Sequence, residues 1–260
     1  MRTRVADGQR EHAEDHVARE EPLEIRLGGV PLAVVMRTPG HDEELTRGFL
    51  VTERVVSSTR DVVSVRHCTT VETPEAENNV VQVVLAPGVE VDLVRLRRNL
   101  YASSSCGICG KATIDNALST APPLEDSTVV DIGTLTALPA SLRTAQAVFD
   151  RTGGLHAAGS FTAAGACRIV REDVGRHNAV DKVIGWSQLH ADDAGSILLV
   201  SGRISYEIVQ KALAARIPIL AAVSAPSSLA IELAAAANLT LLGFLRDGAF
   251  NIYAGAQRIR

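Results

Sequence analysis

The segment Ser103-Ser104-Ser105-Cys106-Gly107-Ile108-Cys109-Gly110-Lys111 sets two thiols three residues apart in a small-residue loop. It runs into Lys111–Leu118, which reads as helix. Cys106 and Cys109 then stand at or just before a helix N-terminus, where unpaired N–H groups and the positive dipole end favour thiolate over thiol. A thiolate attacks disulfides, accepts sulfur or binds metal. Half of a zinc site is one reading, but the only other cysteines, Cys68 and Cys167, stand alone, so the second half would have to come from distant segments. A thioredoxin-like redox pair is another, although its usual aromatic and proline flanks are replaced here by Ser and Gly. The third is a sulfur carrier, in which one cysteine holds a persulfide sulfur and the other attacks to release it. Gly107 and Gly110 suit that reading, because handing a group to a protein or bulky cofactor needs close backbone approach. Two small core cysteines fit the Gly/Ser surroundings least.

Other polar groups cluster further along the chain. In Arg171-Glu172-Asp173-Val174-Gly175-Arg176-His177-Asn178-Ala179-Val180-Asp181-Lys182 a helix would bring His177 over Asp181 and Asn178 over Lys182. One reading is a ligand wall with His177 oriented by Asp181; the other is a solvated helix end capped by Asp173. Glycine beside Arg-His-Asn at a strand-to-helix turn suits anion contact and favours the first. His156, after Gly153-Gly154-Leu155, is either a proton donor or acceptor near the thiols or a satisfied buried histidine. Ser201-Gly202-Arg203 follows an apolar strand and precedes a helix, an arrangement that can hold phosphate. Phe244, Arg246 and Asp247 can stack a purine, meet phosphate and accept from guanine N–H groups. They also fit a final hairpin turning at Asp247-Gly248, and both can hold at once. Ser224-Ala225-Pro226-Ser227-Ser228 reads as a helix cap facing the same side.

The elements that must position these groups follow from periodicity. Residues 1–21 are charged without apolar periodicity and read as a flexible tail. Leu23, Ile25 and Leu27, then Gly28-Gly29, then Val30, Leu32 and Val34 make a hairpin pattern. Asp42 is placed to cap a helix carrying Leu45, Phe49 and Leu50, and Val62–Val65 and Val80–Val84 are strands. Residues 22–100 therefore read as a small mixed subdomain. Beyond it, 101–260 alternates strands with helices: helix over 111–119 and over 139–152 with Pro139 in its first turn, strands at 156–162 and 166–170, helix 175–190, strand 197–200, helix 206–216, strand 219–223, helix 228–237 and strand 239–242. That rhythm predicts a layered α/β domain in an α+β whole, with ligands at the carboxyl ends of its strands.

Composition narrows the function. At 260 residues and 46% hydrophobic content the chain can bury a large core, although aromatics are only 3%, so Ala, Val and Leu must pack it. A net charge of −4 without a basic tract argues against nucleic acid and polybasic membrane anchoring. No apolar run is long enough for a span, Met1–Glu21 has no signal-peptide core, and four cysteines fit a reducing, cytoplasmic setting.

Six segments in this order resemble the formate dehydrogenase accessory sulfurtransferase family, the FdhD/NarQ type. They are Met36–Leu45 with Gly48-Phe49-Leu50, Ser105–Gly110, Thr152–Ala158, Arg171–Lys182, Ser201–Arg203 and Gly243–Arg246. The resemblance implies a fold similar to cytidine deaminases. It also implies that persulfide sulfur passes from a cysteine desulfurase to the molybdenum (or tungsten) bis-molybdopterin guanine dinucleotide cofactor before that cofactor enters the formate dehydrogenase catalytic subunit. On this family pattern Cys106 carries the persulfide, Cys109 is the second thiol, and the cofactor-binding segment is Phe244, Leu245, Arg246, Asp247, Gly248 and Ala249. Ser201, Gly202, Arg203 and His177 join it from the residue reading, with GDP as an analogue and no permanent cofactor or metal. A bis-dinucleotide has two guanine ends, so a homodimer is expected. Deamination itself is disfavoured: zinc deaminases need His/Cys-x-Glu followed by Pro-Cys-x-x-Cys, but Ser105 stands where proline should, and His41-x-Glu43 lies in the N-terminal subdomain. A non-enzymatic rival is a chaperone whose thiols only ligate the cofactor's metal.

Overall fold

The computed structural model describes residues 2–68, 77–89, 91, 114–115, 117–119, 121–190 and 195–260. The chain opens with β1 (Arg2–Ala6) and β2 (Gln9–Ala13), an antiparallel hairpin. Residues 1–21 read from sequence as a flexible tail, and Arg2–Ala6 and Gln9–Ala13 within them are paired strands. The turn that makes the hairpin is Asp7-Gly8, both at positive φ (51° and 76°), a two-residue signal that the charged composition hides.

A four-stranded sheet follows, built from β3 (Glu21–Leu27), β4 (Val30–Arg37), β5 (Val62–His67) and β6 (Val80–Leu85) in the order β4-β3-β6-β5. Gly28-Gly29 turns the β3–β4 hairpin as the alternation predicts. Leu23, Ile25, Leu27, Val81 and Val83 face inward onto α1 (Asp42–Thr52), meeting Leu45, Phe49 and Leu50. Asp42 does not cap this helix. Its two oxygens are taken by Arg37 (3.0 and 2.9 Å), and the cap position falls to His41 in the left-handed region.

The second half is a six-stranded sheet ordered β12-β11-β10-β9-β7-β8. Its strands are β7 (His156–Phe161), β8 (Cys167–Asp173), β9 (Ile197–Val200), β10 (Ile219–Ala222), β11 (Thr240–Arg246) and β12 (Ala249–Ala254). β9, β10 and β11 run parallel, and β7 runs against β9. Every residue of Ile197–Val200 and Ile219–Ala222 is buried, as expected of central parallel strands covered on both faces. One face carries α4 (Arg176–Leu189), α5 (Tyr206–Ala214) and α6 (Ser228–Ala236), the last capped by the Ser227 hydroxyl accepting from Ala230 N–H at 3.3 Å. The other carries α2 (Ile132–Thr144), whose Leu135, Leu138 and Leu142 recur on one side and pack on Phe161, Leu199 and Ala221. Pro139 sits inside α2 rather than at its start, and the chain breaks at Ala145-Gln146 before α3 (Ala147–Thr152), which ends on Gly153 at φ 64°. The predicted helix over 111–119 is described only at 114–115 and 117–119, which are helical. The mixed α/β class is as the sequence predicts.

The two halves meet where α1 crosses α4. A methyl on Gly48 would overlap the Asp181 carbonyl, and one on Gly185 would overlap the Glu44 carbonyl, so glycine at each crossing point lets the two backbones touch. Charged groups finish the joint. Asp173 is fully buried and accepts from Lys182 Nζ at 2.7 Å, Gly175 N–H at 2.8 Å, Asn178 Nδ2 at 2.9 Å and Thr38 N–H at 3.1 Å. Arg171 grips Glu44 with two hydrogen bonds of 2.6 and 2.7 Å.

Candidate functional site

The joint accounts for much of the polar motif at 171–182. Asn178 donates to the Met36 carbonyl (2.7 Å) and Lys182 to the Thr38 carbonyl (2.9 Å), so neither is part of a ligand wall. Asp181 does not orient His177. It accepts from Thr52 Oγ1 at 2.8 Å and Lys211 Nζ at 2.9 Å in a fully buried cluster. Burial pushes its carboxyl up to about 6, still ionised at neutral pH, while Asp181 and Glu53 hold Lys211 above its usual range against its own desolvation. Arg176 and His177 are left facing elsewhere.

For Arg176 this is the carboxyl edge of the large sheet. Because β7 is antiparallel to β9 while β8 is antiparallel to β7, the start of β7 lies beside the ends of β8 and β9. His156 pairs with Asp173 across one side, and the Ser201 hydroxyl oxygen accepts from Ala157 N–H at 2.9 Å on the other. The Ser201 oxygen therefore extends the strand ladder. At Gly202 a Cβ would stand 3.2 Å from His156 Nδ1 and 3.9 Å from Arg176 Cβ, which gathers His156, Arg176, Gly202 and the exposed Arg203 at one corner. Burial, then Arg176 and Arg203, lower the His156 pKa, partly offset by Asp173. His177 is lowered to about 4 by burial first, then by Arg176 and Lys211, against Glu207 and Glu53. It is a neutral imidazole at pH 7. Among the described residues, neither Arg176 Nε nor His177 Nε2, both buried, has a hydrogen-bond partner, an arrangement that costs free energy until something supplies one.

Two strands away, β11 ends irregularly. Phe244 sits at φ 54°, a conformation uncommon for a bulky side chain, and the register with β12 shifts between Gly243 and Arg246. The extra residue breaks the alternation, so that Leu242 and Leu245 both point into the core beneath α2. Leu245, expected among the cofactor-binding residues, thus leaves only its main chain at the edge. Phe244 itself is turned outward, with the Arg246 guanidinium 5.8 Å from its ring centre. Gly243 leaves no room for more: a Cβ there would lie 2.8 Å from Pro226 and 2.9 Å from the Tyr253 ring. Asp247 and Gly248, at φ 53° and 74°, form the hairpin turn and hand the chain to Ala249. These three residues and Arg246 are exposed.

The edge is thus an aromatic platform with a guanidinium at β11 and an imidazole with two guanidiniums at β7–β9, chemistry suited to a planar base and an anion. Of the sequence-predicted groups it brings together Gly202 and Arg203, with His156 and Arg176, at one end and Phe244, Arg246, Asp247, Gly248 and Ala249 at the other, while His177, next to Arg176 in sequence, lies among the charges of Lys211, Glu207 and Glu53. Cys106 and Cys109 lie outside the described residues. The sequence reading left His156 open and named Arg176 only within the Arg-His-Asn stretch suited to anion contact. The signal for Arg176 was available, since an arginine followed by a histidine at the positive end of a helix is an electrostatic misfit unless an anion joins them. Among the described residues no cluster of three or more His, Cys, Asp or Glu could hold a metal. No described helix is long and apolar enough to cross a membrane. A cavity of about 280 Å³ between residues 16–19, Thr38-Pro39 and α3 contains none of the predicted site residues.

Comparison with known proteins places the chain. The sequence profile of the FdhD/NarQ family matches residues 18–260. The sulfur carrier protein FdhD of Streptomyces coelicolor is 52% identical, over 98% of this chain and 93% of that one. The protein of the same name from Mycobacterium tuberculosis is 53% identical, over 94% and 91%. A crystal structure from Desulfotalea psychrophila, assigned as a formate dehydrogenase accessory protein, superimposes with a TM-score of 0.79 over 100% of this chain and 97% of that one at 23% identity, a likeness of fold. The chain belongs to the FdhD/NarQ family.

Proposed function

We propose that this protein carries sulfur as a persulfide on Cys106 and delivers it to a molybdenum or tungsten bis-guanine-dinucleotide cofactor destined for formate dehydrogenase, with a cysteine desulfurase as donor. The observation that carries the reading is the pairing of a strained, outward Phe244 beside Arg246 with the buried Nε of Arg176, which has no partner among the described residues, along one sheet edge. A base stacks at the first and an anionic group satisfies the second. Relatives about 50% identical bear the name sulfur carrier, which supports the sulfur-transfer class.

In loading, the Cys106 thiolate attacks the terminal sulfur of the donor's persulfide. The donor S–S bond breaks, its cysteine leaves as thiolate, and Cys106 bears the new S–S bond. In release, the Cys109 thiolate attacks the Cys106 sulfur, forming the Cys106–Cys109 disulfide and expelling the terminal sulfur as sulfide; the two cysteines are oxidised as that sulfur is reduced. A two-fold homodimer would offer two such edges to a ligand with two guanine ends.

The test is intact-mass analysis after exposure to a desulfurase and cysteine. Wild type should gain sulfur and Cys106→Ala should not, while Cys109→Ala should load but release slowly; equal loading of Cys106→Ala removes the assignment. GDP should bind by calorimetry more tightly than ADP, and equal affinities remove the guanine reading.

A further inference from the structure

Three arginines of this molecule use the same edge of the guanidinium in the same way. Arg37 donates through Nε and Nη2 to the two oxygens of Asp42 at 3.0 and 2.9 Å. Arg171 uses that pair on Glu44 at 2.6 and 2.7 Å, and Arg26 uses it on Glu24 at 3.0 Å each. Arg54 presents the same two nitrogens, buried, and among the described residues neither has a hydrogen-bond partner. A planar fork of this kind matches two oxygens of one carboxylate or phosphate.

The backbone holds Arg54 there against its preference. It follows α1 at φ 59°, in the slot where a helix end usually takes glycine or asparagine, with Arg54 N–H donating to the Val51 carbonyl and Val55 N–H to the Leu50 carbonyl. The equivalent slot after α5 holds Arg216, also at φ 59°, whose guanidinium donates to the carbonyls of Pro122 and Pro123. Glu53, the adjacent acid, is engaged by Lys211 at 2.8 Å. Burial lowers the Arg54 pKa, with the nearby Arg216 charge adding to it. Arg54 is a half-buried cation within reach of a second cation's charge.

We propose that Arg54, with the charge of Arg216 in reach, is an oxyanion site at the carboxyl ends of α1 and α5, taking a carboxylate or phosphate side-on through Nε and Nη2. It lies before β10 begins, away from the edge where β9–β11 end, and stands independently of the nucleotide reading.

Arg54→Gly suits the positive φ and should fold. The arginine Nε–H NMR signal missing from that variant identifies Arg54 in the wild type. Titrating inorganic phosphate, and separately acetate, at an ionic strength fixed with chloride should move the signal saturably for at least one of them, and which one responds distinguishes a phosphate site from a carboxylate site. Saturating anion should also raise the wild-type Tm by about 2–4 °C more than that of Arg54→Gly. In chloride alone the variant should melt no lower than wild type, because it removes an unpaired cation and a strained residue together. A signal unmoved by both anions, an equal Tm response in the variant, or a variant that melts lower in chloride would each overturn the site.

Discussion

At the joint between the sheets, the carboxylate of Asp173 holds four donors, and Arg171, Asn178 and Lys182 each end on an acceptor. At the sheet edge, Arg176 and His177 of the same helix have buried nitrogens without a partner among the described residues, and Phe244 stays in the left-handed region although it is neither glycine nor asparagine. Arg176 shares its residue type with the joint's Arg171, and Arg176 and His177 stand between the joint's Asp173 and Asn178 in sequence. Density of charge does not separate a site from a scaffold here, whereas incomplete pairing and retained strain do.

The largest effect expected from breaking this contrast is at the joint. Asp173→Ala strands Lys182, which is 1% exposed, as a buried charge and should cost about 3–5 kcal/mol in urea unfolding. A loss under 1 kcal/mol would mean that the joint is not what holds the halves together. Gly185→Ala forces α4 off the Glu44 carbonyl and should cost about 1–3 kcal/mol by the same assay; an unchanged midpoint would refute the close crossing.

Edge substitutions should behave in the opposite way. Arg176→Ala and Arg246→Ala should each weaken GDP binding by about tenfold, the scale of a hydrogen bond to a charged group, with no loss of Tm. Loss of stability without loss of affinity would move these residues into the scaffold. Phe244→Asn, a residue that tolerates positive φ, should stabilise by up to about 1 kcal/mol while weakening GDP, and a destabilised variant with full affinity would contradict the strain argument.

The smallest effect is a titration. Folded His177 takes its proton near pH 4, whereas the unfolded imidazole does so near 6.5. Its contribution to stability is therefore complete above 6.5 and lost as pH falls to 4. Its ring NMR signals should titrate near 4 in the free protein and higher with GDP bound, since a phosphate stabilises the imidazolium; an unmoved midpoint would place His177 away from the ligand.

Much of the fold was legible because its signals are local. The apolar runs Ile197–Val200 and Ile219–Ala222, the Gly28-Gly29 turn and the span of α4 each follow from a few neighbouring residues. The misassignments arise where a distant partner decides. Asp42 looks like a cap until Arg37 claims it, Asp181 looks like a partner for His177 until Lys211 and Thr52 claim it, and Leu245 looks outward until the irregularity at Phe244 turns it in. In the site, the β11 segment was readable from its residue types and the corner at Gly202 from its strand-to-helix turn. The meeting of His156 with Arg176 depends on antiparallel pairing between strands that periodicity does not specify.

That antiparallel pairing also governs when the edge comes into being. His156, Arg176, Gly202 and Phe244 are drawn together only after β7, β8, β9, β10 and β11 have taken their places, across nearly ninety residues of chain. Closing such long loops comes late in folding, because each non-local contact is entropically costly until its neighbours have formed. A nascent or half-unfolded chain has no such edge to offer. A ligand that needs this edge would therefore bind only a chain that has finished folding, so its binding would report completed folding.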